Sequence, residues 1–208
     1  MTDPDLEGAY ALTSLEDTKR LYADWAETYD TSFATEMDFT LPQSVAEAFV
    51  AAGGAGPVLD FGCGTGLLGA HLARLGIAGP LDGADLSTEM LDVARRKGVY
   101  RDLISGNVLD GYQTAGAPYA GIVSSGTFTN GHVGPAAIGI LLDLAAPGAL
   151  FVLSIHGGHF KAAGFAEAFT ELDGKITDLS LPEIRFYGKA ATGAHKDDTG
   201  YLATFRKA

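Results

Sequence analysis

Asp60 stands just ahead of the run Gly62-Cys63-Gly64-Thr65-Gly66, and Asp85 follows that run by roughly twenty residues. Glycines at alternate positions let the backbone adopt left-handed conformations and let a ligand lie directly against the main chain. A helix starting after the run would add unpaired N–H groups and the positive end of its dipole. An acid at the position of Asp85, ending a second strand, suits the two hydroxyls of a ribose. This spacing is shared by dinucleotides and other adenosine ligands, so it does not separate them. Leu67 stands where the dinucleotide fingerprint has its third glycine, although the shifted register Gly64-x-Gly66-x-x-Gly69 fits that fingerprint. Asp60 points the other way: a carboxylate close to the turn is unsuited to a pyrophosphate and suited to a ligand that carries an ammonium group.

Val58-Leu59-Asp60-Phe61-Gly62-Cys63-Gly64-Thr65-Gly66, followed by Gly83-Ala84-Asp85-Leu86-Ser87 and Met90-Leu91, resembles the class I S-adenosylmethionine-dependent methyltransferases. Within them the chain is similar to the small stand-alone group that includes the Williams–Beuren-region protein. The resemblance extends from about Leu21 to about Phe160. It implies that Asp60, Gly62, Gly64 and Gly66 hold the amino-acid portion of the cofactor and that Asp85 holds its ribose. It further implies cofactor contacts at Cys63, Leu86, Met90, Val108 and Ser124. Asn107 falls where the family commonly has an acid, and it can still donate or accept at an adenine edge. The segment from Tyr22 through Trp25 to Tyr29-Asp30 is similar to the one with which this family covers its cofactor, which places Tyr22 and Tyr29 over the ligand. S-adenosylhomocysteine is then the product, and a small molecule the expected methyl acceptor.

A sulfonium methyl group is already electrophilic, so alignment of the acceptor and exclusion of water carry most of such a reaction. No Ser/His/Asp set and no Cys/His metal spacing is present in the sequence. A neutral histidine could take a proton from the acceptor. His156 is the favoured candidate because it directly ends an apolar strand, and His132, in Gly131-His132, comes second. His159 is expected to face out of the next helix.

These residues need a sheet to bring them together. Val58–Phe61 reads as a first strand and Leu67 onward as its helix. A second strand covers about Leu81–Ala84, and Ser87 with Glu89 starts a helix that Gly98 ends. Further strands are expected at 103–105, 119–124 and 149–155, with helices at 135–146 and 160–172. Glu183–Gly188 and Tyr201–Phe205 read as a closing antiparallel pair. Ser14 with Asp17 resembles a capping box for a helix to Asp30, and Pro42 suits the first turn of another running to Ala52. Strands alternating with helices give an α/β, doubly wound (Rossmann-like), mostly parallel sheet. The resemblance implies seven strands in the order 3-2-1-4-5-7-6, with the N-terminal helices over the cofactor site. Residues 1–13 read as a loose tail and 14–208 as one domain. In that architecture Gly62–Gly66, Asp85, Asn107, Ser124–Gly126 and the His156 loop converge beyond the C-terminal strand ends.

With 208 residues, 47% of them hydrophobic, the chain can build one substantial core. A formal charge of −12 disfavours nucleic acid as the substrate. Arg95-Arg96-Lys97, the tight basic run, reads as a solvated helix end that complements the dipole. No apolar run approaches bilayer length, and Met1-Thr2-Asp3-Pro4-Asp5 is acidic rather than leader-like. The single cysteine excludes an internal disulfide and fits a cytoplasmic setting, with Cys63 read as a packing residue under the turn. Two other functions stay open at this point: a cofactor-binding module without catalysis, and a nicotinamide-dependent oxidoreductase, against which Asp60 argues. The oligomeric state is not legible.

Overall fold

The computed structural model describes residues 15–111, 118–130 and 132–208. The expected tail and the capping role of Ser14 lie outside the described residues.

The first strand, β1 (Val58–Phe61), buries all four side chains, as a strand covered by helices on both faces must. It pairs in parallel with β2 (Leu81–Asp85) on one side and β4 (Tyr119–Phe128) on the other. Outside these lie β3 (Asp102–Ser105), parallel to β2, and β5 (Ala145–His156), parallel to β4. The last strand, β8 (Thr199–Lys207), runs antiparallel to β5. The order is 3-2-1-4-5-8-6, and β6 (Ile176–Ser180) and β7 (Glu183–Arg185) both pair with β8. One strand more is present than the sequence suggested, because the edge position is split in two. Leu181-Pro182 divides it: proline has no N–H for the ladder, and its carbonyl accepts from Leu202 N at 3.0 Å. Most of β6 is exposed, so no apolar alternation announces it.

Successive residues of the central strands face opposite layers. Val58, Val123 and Val152 pack against α2 (Leu41–Ala51) through Val45 and Phe49, whereas Leu59, Ile122 and Phe151 pack against Ile138 and Leu141 of α5 (Ala136–Leu144). A third, smaller core of Trp25, Phe33, Leu41, Met90, Phe186 and Tyr187 lies beneath the N-terminal segment. That segment is α1 (Leu15–Trp25) and a π-helical turn at Asp30–Ala34.

Several boundaries differ from expectation: the helix expected to reach Asp30 ends at Trp25, and the strand expected at Glu183–Gly188 ends at Arg185. The expected helix at 160–172 is two, α6 (Gly157–Ala162) and α7 (Phe165–Glu171), parted at the left-handed Gly164. The helix α5 stops at Leu144, and β5 begins at Ala145 rather than at 149. The fourth strand continues past Ser124 to Phe128, with a register shift between those two residues. The remaining helices, α3 (Leu67–Arg74) and α4 (Thr88–Lys97), flank the first two strands. Ser87 caps α4 by accepting from Met90 N at 3.2 Å, and Gly98 ends it at φ 66°.

Candidate functional site

A cavity of about 530 Å³ opens beyond the C-terminal ends of β1, β2 and β4. Its floor is the glycine turn. Gly62 N and Cys63 N both donate to Ala84 O, at 2.9 and 3.0 Å, which folds the turn over the end of β2. A Cβ at Gly62 would stand 2.0 Å from Thr127 Oγ1, so glycine there admits the bulged end of β4. Gly64 is left-handed (φ 53°) and no atom lies within 4 Å of the place where its Cβ would be. That space belongs to the cavity, so Gly64 is kept clear for something other than protein. Gly66 lies behind the turn instead, capping α3 against the Tyr100 ring, and does not line the cavity.

Both acids line the cavity in different states. Asp85 is tied down: Oδ2 accepts from Gly64 N at 2.8 Å and Oδ1 from Ser87 N at 2.9 Å. Burial raises its pKa, and those backbone donors oppose the rise. Asp60 is fully buried, with Oδ2 accepting from the Tyr100 hydroxyl at 2.7 Å and Oδ1 lacking a partner. Desolvation pushes its pKa up to about 7, against the pull of the Tyr100 hydrogen bond. Tyr100 is the residue that sequence reasoning missed. Its ring fills the places where Gly69 and Gly83 would carry a Cβ, 2.4 and 3.0 Å from ring carbons. Those glycines were its trace in the sequence. They also account for the shifted fingerprint, since Gly69 makes room for a tyrosine rather than a pyrophosphate.

The N-terminal cover divides its aromatic stripe. Trp25 is core, stacked on Tyr22 with ring centroids 6.1 Å apart, whereas Tyr22 and Tyr29 line the cavity. Polar contacts fasten this cover to the turn. Asp30 Oδ1 accepts from Thr65 Oγ1 at 2.6 Å, and Lys97 Nζ donates to Asp30 Oδ2 and to Thr65 O, both at 2.6 Å. Arg96 adds a two-pronged pair with Glu27 at 2.8 and 2.9 Å. The basic run is therefore not simply a solvated helix end. Arg95 pairs within its own helix with Asp92 in the open, but Arg96 and Lys97 hold the cover. Their acidic partners lie almost seventy residues upstream, beyond the reach of a spacing argument.

Leu86, Met90, Asn107 and Val108 line the far wall. The Asn107 carbonyl oxygen accepts from Leu109 N at 3.1 Å. Cys63 lines the turn side, its thiol pushed well up by burial and the nearby carboxylates. Ser124 does not reach the cavity: its hydroxyl is spent on Phe61 O at 2.6 Å, pinning β4 to β1.

The two histidines are placed differently. His132 lines the cavity; its neighbour Gly131 lies outside the described residues. His132 Nδ1 is 3.1 Å from Asn130 O, which can only accept, so Nδ1 carries the proton of the neutral ring. Nε2, with the lone pair, is buried without a partner among the described residues. Burial lowers the pKa and keeps the ring neutral. His156 is not on the main cavity but on a smaller neighbouring one. Its Nδ1 accepts from Gly158 N at 3.2 Å as the cap of α6, and its Nε2 faces Asp198 Oδ2 at 3.7 Å. Rigid placement at a strand end has here gone into capping the next helix. His159 lies beside Val133 O at 2.9 Å rather than facing out.

Residues 58–147 match a family model described as a methyltransferase domain. No curated protein matches the chain. Among solved structures, DhpI, in its complex with SAH, is 20% identical with a TM-score of 0.64, covering 98% of this chain and 99% of its own. A TehB-like SAM-dependent methyltransferase from Corynebacterium glutamicum is also 20% identical, with a TM-score of 0.62 and coverage of 90% and 98%. The N-methyltransferase NodS from Bradyrhizobium japonicum, solved with S-adenosyl-L-homocysteine, is 18% identical, with a TM-score of 0.58 and coverage of 87% and 90%. At these identities the likeness is one of fold, and the fold is that of the Rossmann-like methyltransferases.

Proposed function

We propose that this chain, whose residues 58–147 match a methyltransferase-domain model, binds S-adenosylmethionine in the main cavity and transfers its methyl group to a small-molecule acceptor. The observation that carries this reading is the open space above Gly64, held between two acids that a cationic nucleoside would satisfy. Asp60 Oδ1, buried without a donor, fits an ammonium group on the turn side. The Asp85 oxygens each keep a lone pair beyond their backbone bonds and are suited to ribose hydroxyls. Asn107 and Val108 stand where an adenine edge would lie, and Tyr22 and Tyr29 close over the ligand and exclude water.

Bound there, the cofactor supplies a sulfonium methyl group: the acceptor's lone pair forms the new bond, and the electrons of the broken carbon–sulfur bond stay on sulfur in S-adenosylhomocysteine. His132 Nε2 is the group placed to take the acceptor's proton, in preference to His156. Its tautomer, neutrality and lack of another partner all suit a base. Methylation assays with labelled cofactor over an acceptor panel, read by mass spectrometry, test the activity. Binding of S-adenosylhomocysteine without turnover of any acceptor would favour a non-catalytic module, and binding of NAD in its place an oxidoreductase. Among the described residues no helix is long and apolar enough to cross a membrane, and together with the single cysteine this supports a cytoplasmic placement.

A further inference from the structure

Next to the main cavity lies a second one of about 40 Å³, and Tyr22, Tyr29, Phe39 and Gly126 wall both. We propose that this niche, with Ser125, Thr129 and His132 beside it, is the acceptor subsite and takes a small uncharged aromatic hydroxyl compound, a phenol by class. The inference rests on the methyl-transfer reading above.

Three independent features carry it. The first is shape and surface. The rings of Tyr22, Tyr29, Phe39, Phe128, Phe186 and Tyr187 line the niche, and aromatic rings pack against one another in tilted or edge-on contacts beyond what area alone provides. Its volume admits the edge of one ring, while the shared walls let the remainder of the molecule sit in the main cavity.

The second is an unmet hydrogen-bonding demand. Thr129 lines the niche with its hydroxyl buried, at 6% exposure, and unpartnered among the described residues. Ser125 Oγ and His132 Nε2 are in the same condition on the main-cavity side. Ser125 lies in the stretch that the register shift of β4 re-aims, and Thr129 and His132 follow the end of that strand. A buried polar atom without a partner destabilises the site, and a ligand hydroxyl relieves that cost.

The third is charge. Among the described residues no Lys, Arg, Asp or Glu lines the niche, its one ionisable wall group besides the tyrosines is His156, whose pKa burial lowers, and exposed Lys19 is the one Lys or Arg on the wall of the main cavity. A carboxylate or phosphate entering the niche would be desolvated with no counter-charge. A protonated amine has no lone pair to offer a methyl group. An uncharged hydroxyl meets neither obstacle. On transfer the phenol oxygen forms the bond to the methyl carbon, the carbon–sulfur bond electrons stay on sulfur, and the hydroxyl proton passes to His132 Nε2.

The test uses the protein saturated with S-adenosylhomocysteine, after its binding has been measured by calorimetry. Phenol, benzoate, phenylphosphonate and benzylammonium are then titrated by ligand-observed NMR against the unmodified protein and Thr129→Val. Phenol is expected to bind at least about fivefold more tightly than any ionic member, and Thr129→Val to weaken phenol by about fivefold with the homocysteine product bound as before. An ionic fragment binding as well as phenol, absent phenol binding, or an unchanged phenol affinity in Thr129→Val overturns the proposal. If Thr129→Val loses the homocysteine product it has misfolded, and Ser125→Ala, with the same expected loss of phenol, takes its place. Failure of the unmodified protein to bind S-adenosylhomocysteine contradicts the methyl-transfer reading instead, before any fragment is added.

Discussion

The Tyr100 hydroxyl donates to Asp60 Oδ2 at 2.7 Å beneath the glycine turn, joining residues 40 apart in the chain. This bond gives a fully buried carboxyl its one side-chain partner and fills the space that Gly69 and Gly83 leave open. Tyr100→Phe keeps the ring and removes the donor, leaving Asp60 without its side-chain partner. Denaturant unfolding is expected to show a loss on the order of 1–3 kcal/mol. Affinity for S-adenosylhomocysteine should fall with it, because the Asp60 pKa rises further and the carboxyl stays protonated at neutral pH. Unchanged stability and affinity would show that Asp60 needs no support from below.

Asp60 also makes a pH prediction with a definite sign. Its folded pKa, about 7, lies above the ordinary value of 3.8, so between these values the folded state binds more protons than the unfolded one. Its contribution to stability is therefore full below pH 3.8 and is lost as pH rises through 7. Cofactor binding runs the opposite way: an ammonium group pairs with the ionised form, so affinity should rise between about pH 6 and 8 with release of a proton. Calorimetry in buffers of different ionisation enthalpy measures that release. Asp60→Asn should abolish both the proton release and the pH slope; a slope that survives would assign the titration elsewhere.

The contacts of Lys97 with Asp30 and Thr65 are half hidden from solvent, with the two charged side chains 20% and 28% exposed. A bond of this kind between charged groups is worth roughly 1.5–3 kcal/mol before discounting for residual exposure, so a stability loss near 1 kcal/mol is expected for Lys97→Met. The more telling readout is kinetic. Stopped-flow measurement should find faster dissociation of S-adenosylhomocysteine, because the cover carrying Tyr22 and Tyr29 is no longer fastened to the turn. Dissociation at the unmodified rate would mean that the Trp25 core and the remaining polar contacts hold the cover without Lys97.

The two histidines should separate by readout. His132→Ala is expected to lower turnover by about a hundredfold or more while cofactor affinity and melting temperature stay close to the unmodified values. His156→Ala should instead lower the melting temperature, since it removes the cap of α6 and a ring packed on Phe186. A loss of turnover confined to His156→Ala would restore the sequence-based preference. The pKa of His132 is lowered by burial, so the acid limb of turnover attributable to it should lie below its ordinary value of 6.5.

The sheet and the turn were legible because each is written in contiguous residues. Val58–Phe61 is a short strand, apolar but for Asp60, bounded by a break and by glycines, and Ser87 and Gly98 are the local cap signals of one helix. What the chain brings together from afar left weaker traces. Tyr100 reads as an ordinary aromatic after a helix, and its role shows only as glycines at 69 and 83. Lys97 reads as a dipole-complementing end because Asp30 is remote. The edge strands β6 and β7 are short and exposed, so burial imposes no pattern on them. His156 was preferred for its position at the end of a buried strand, which is also the position that caps a helix. The register shift around Ser125 depends on pairing with β5, and pairing partners are not a local property.

The central claim is that the Gly64 cradle between Asp60 and Asp85 holds the methyl donor. Calorimetric titration of S-adenosylhomocysteine and of NAD into the unmodified protein and into Gly64→Val tests it most directly, with circular dichroism confirming that the variant keeps its fold. A branched side chain at Gly64 would enter the open space above the turn and resist its left-handed backbone. The account predicts one equivalent of S-adenosylhomocysteine bound by the unmodified protein, no binding of NAD, and no binding of either by folded Gly64→Val. Binding of NAD in place of S-adenosylhomocysteine, or normal binding by Gly64→Val, would contradict it.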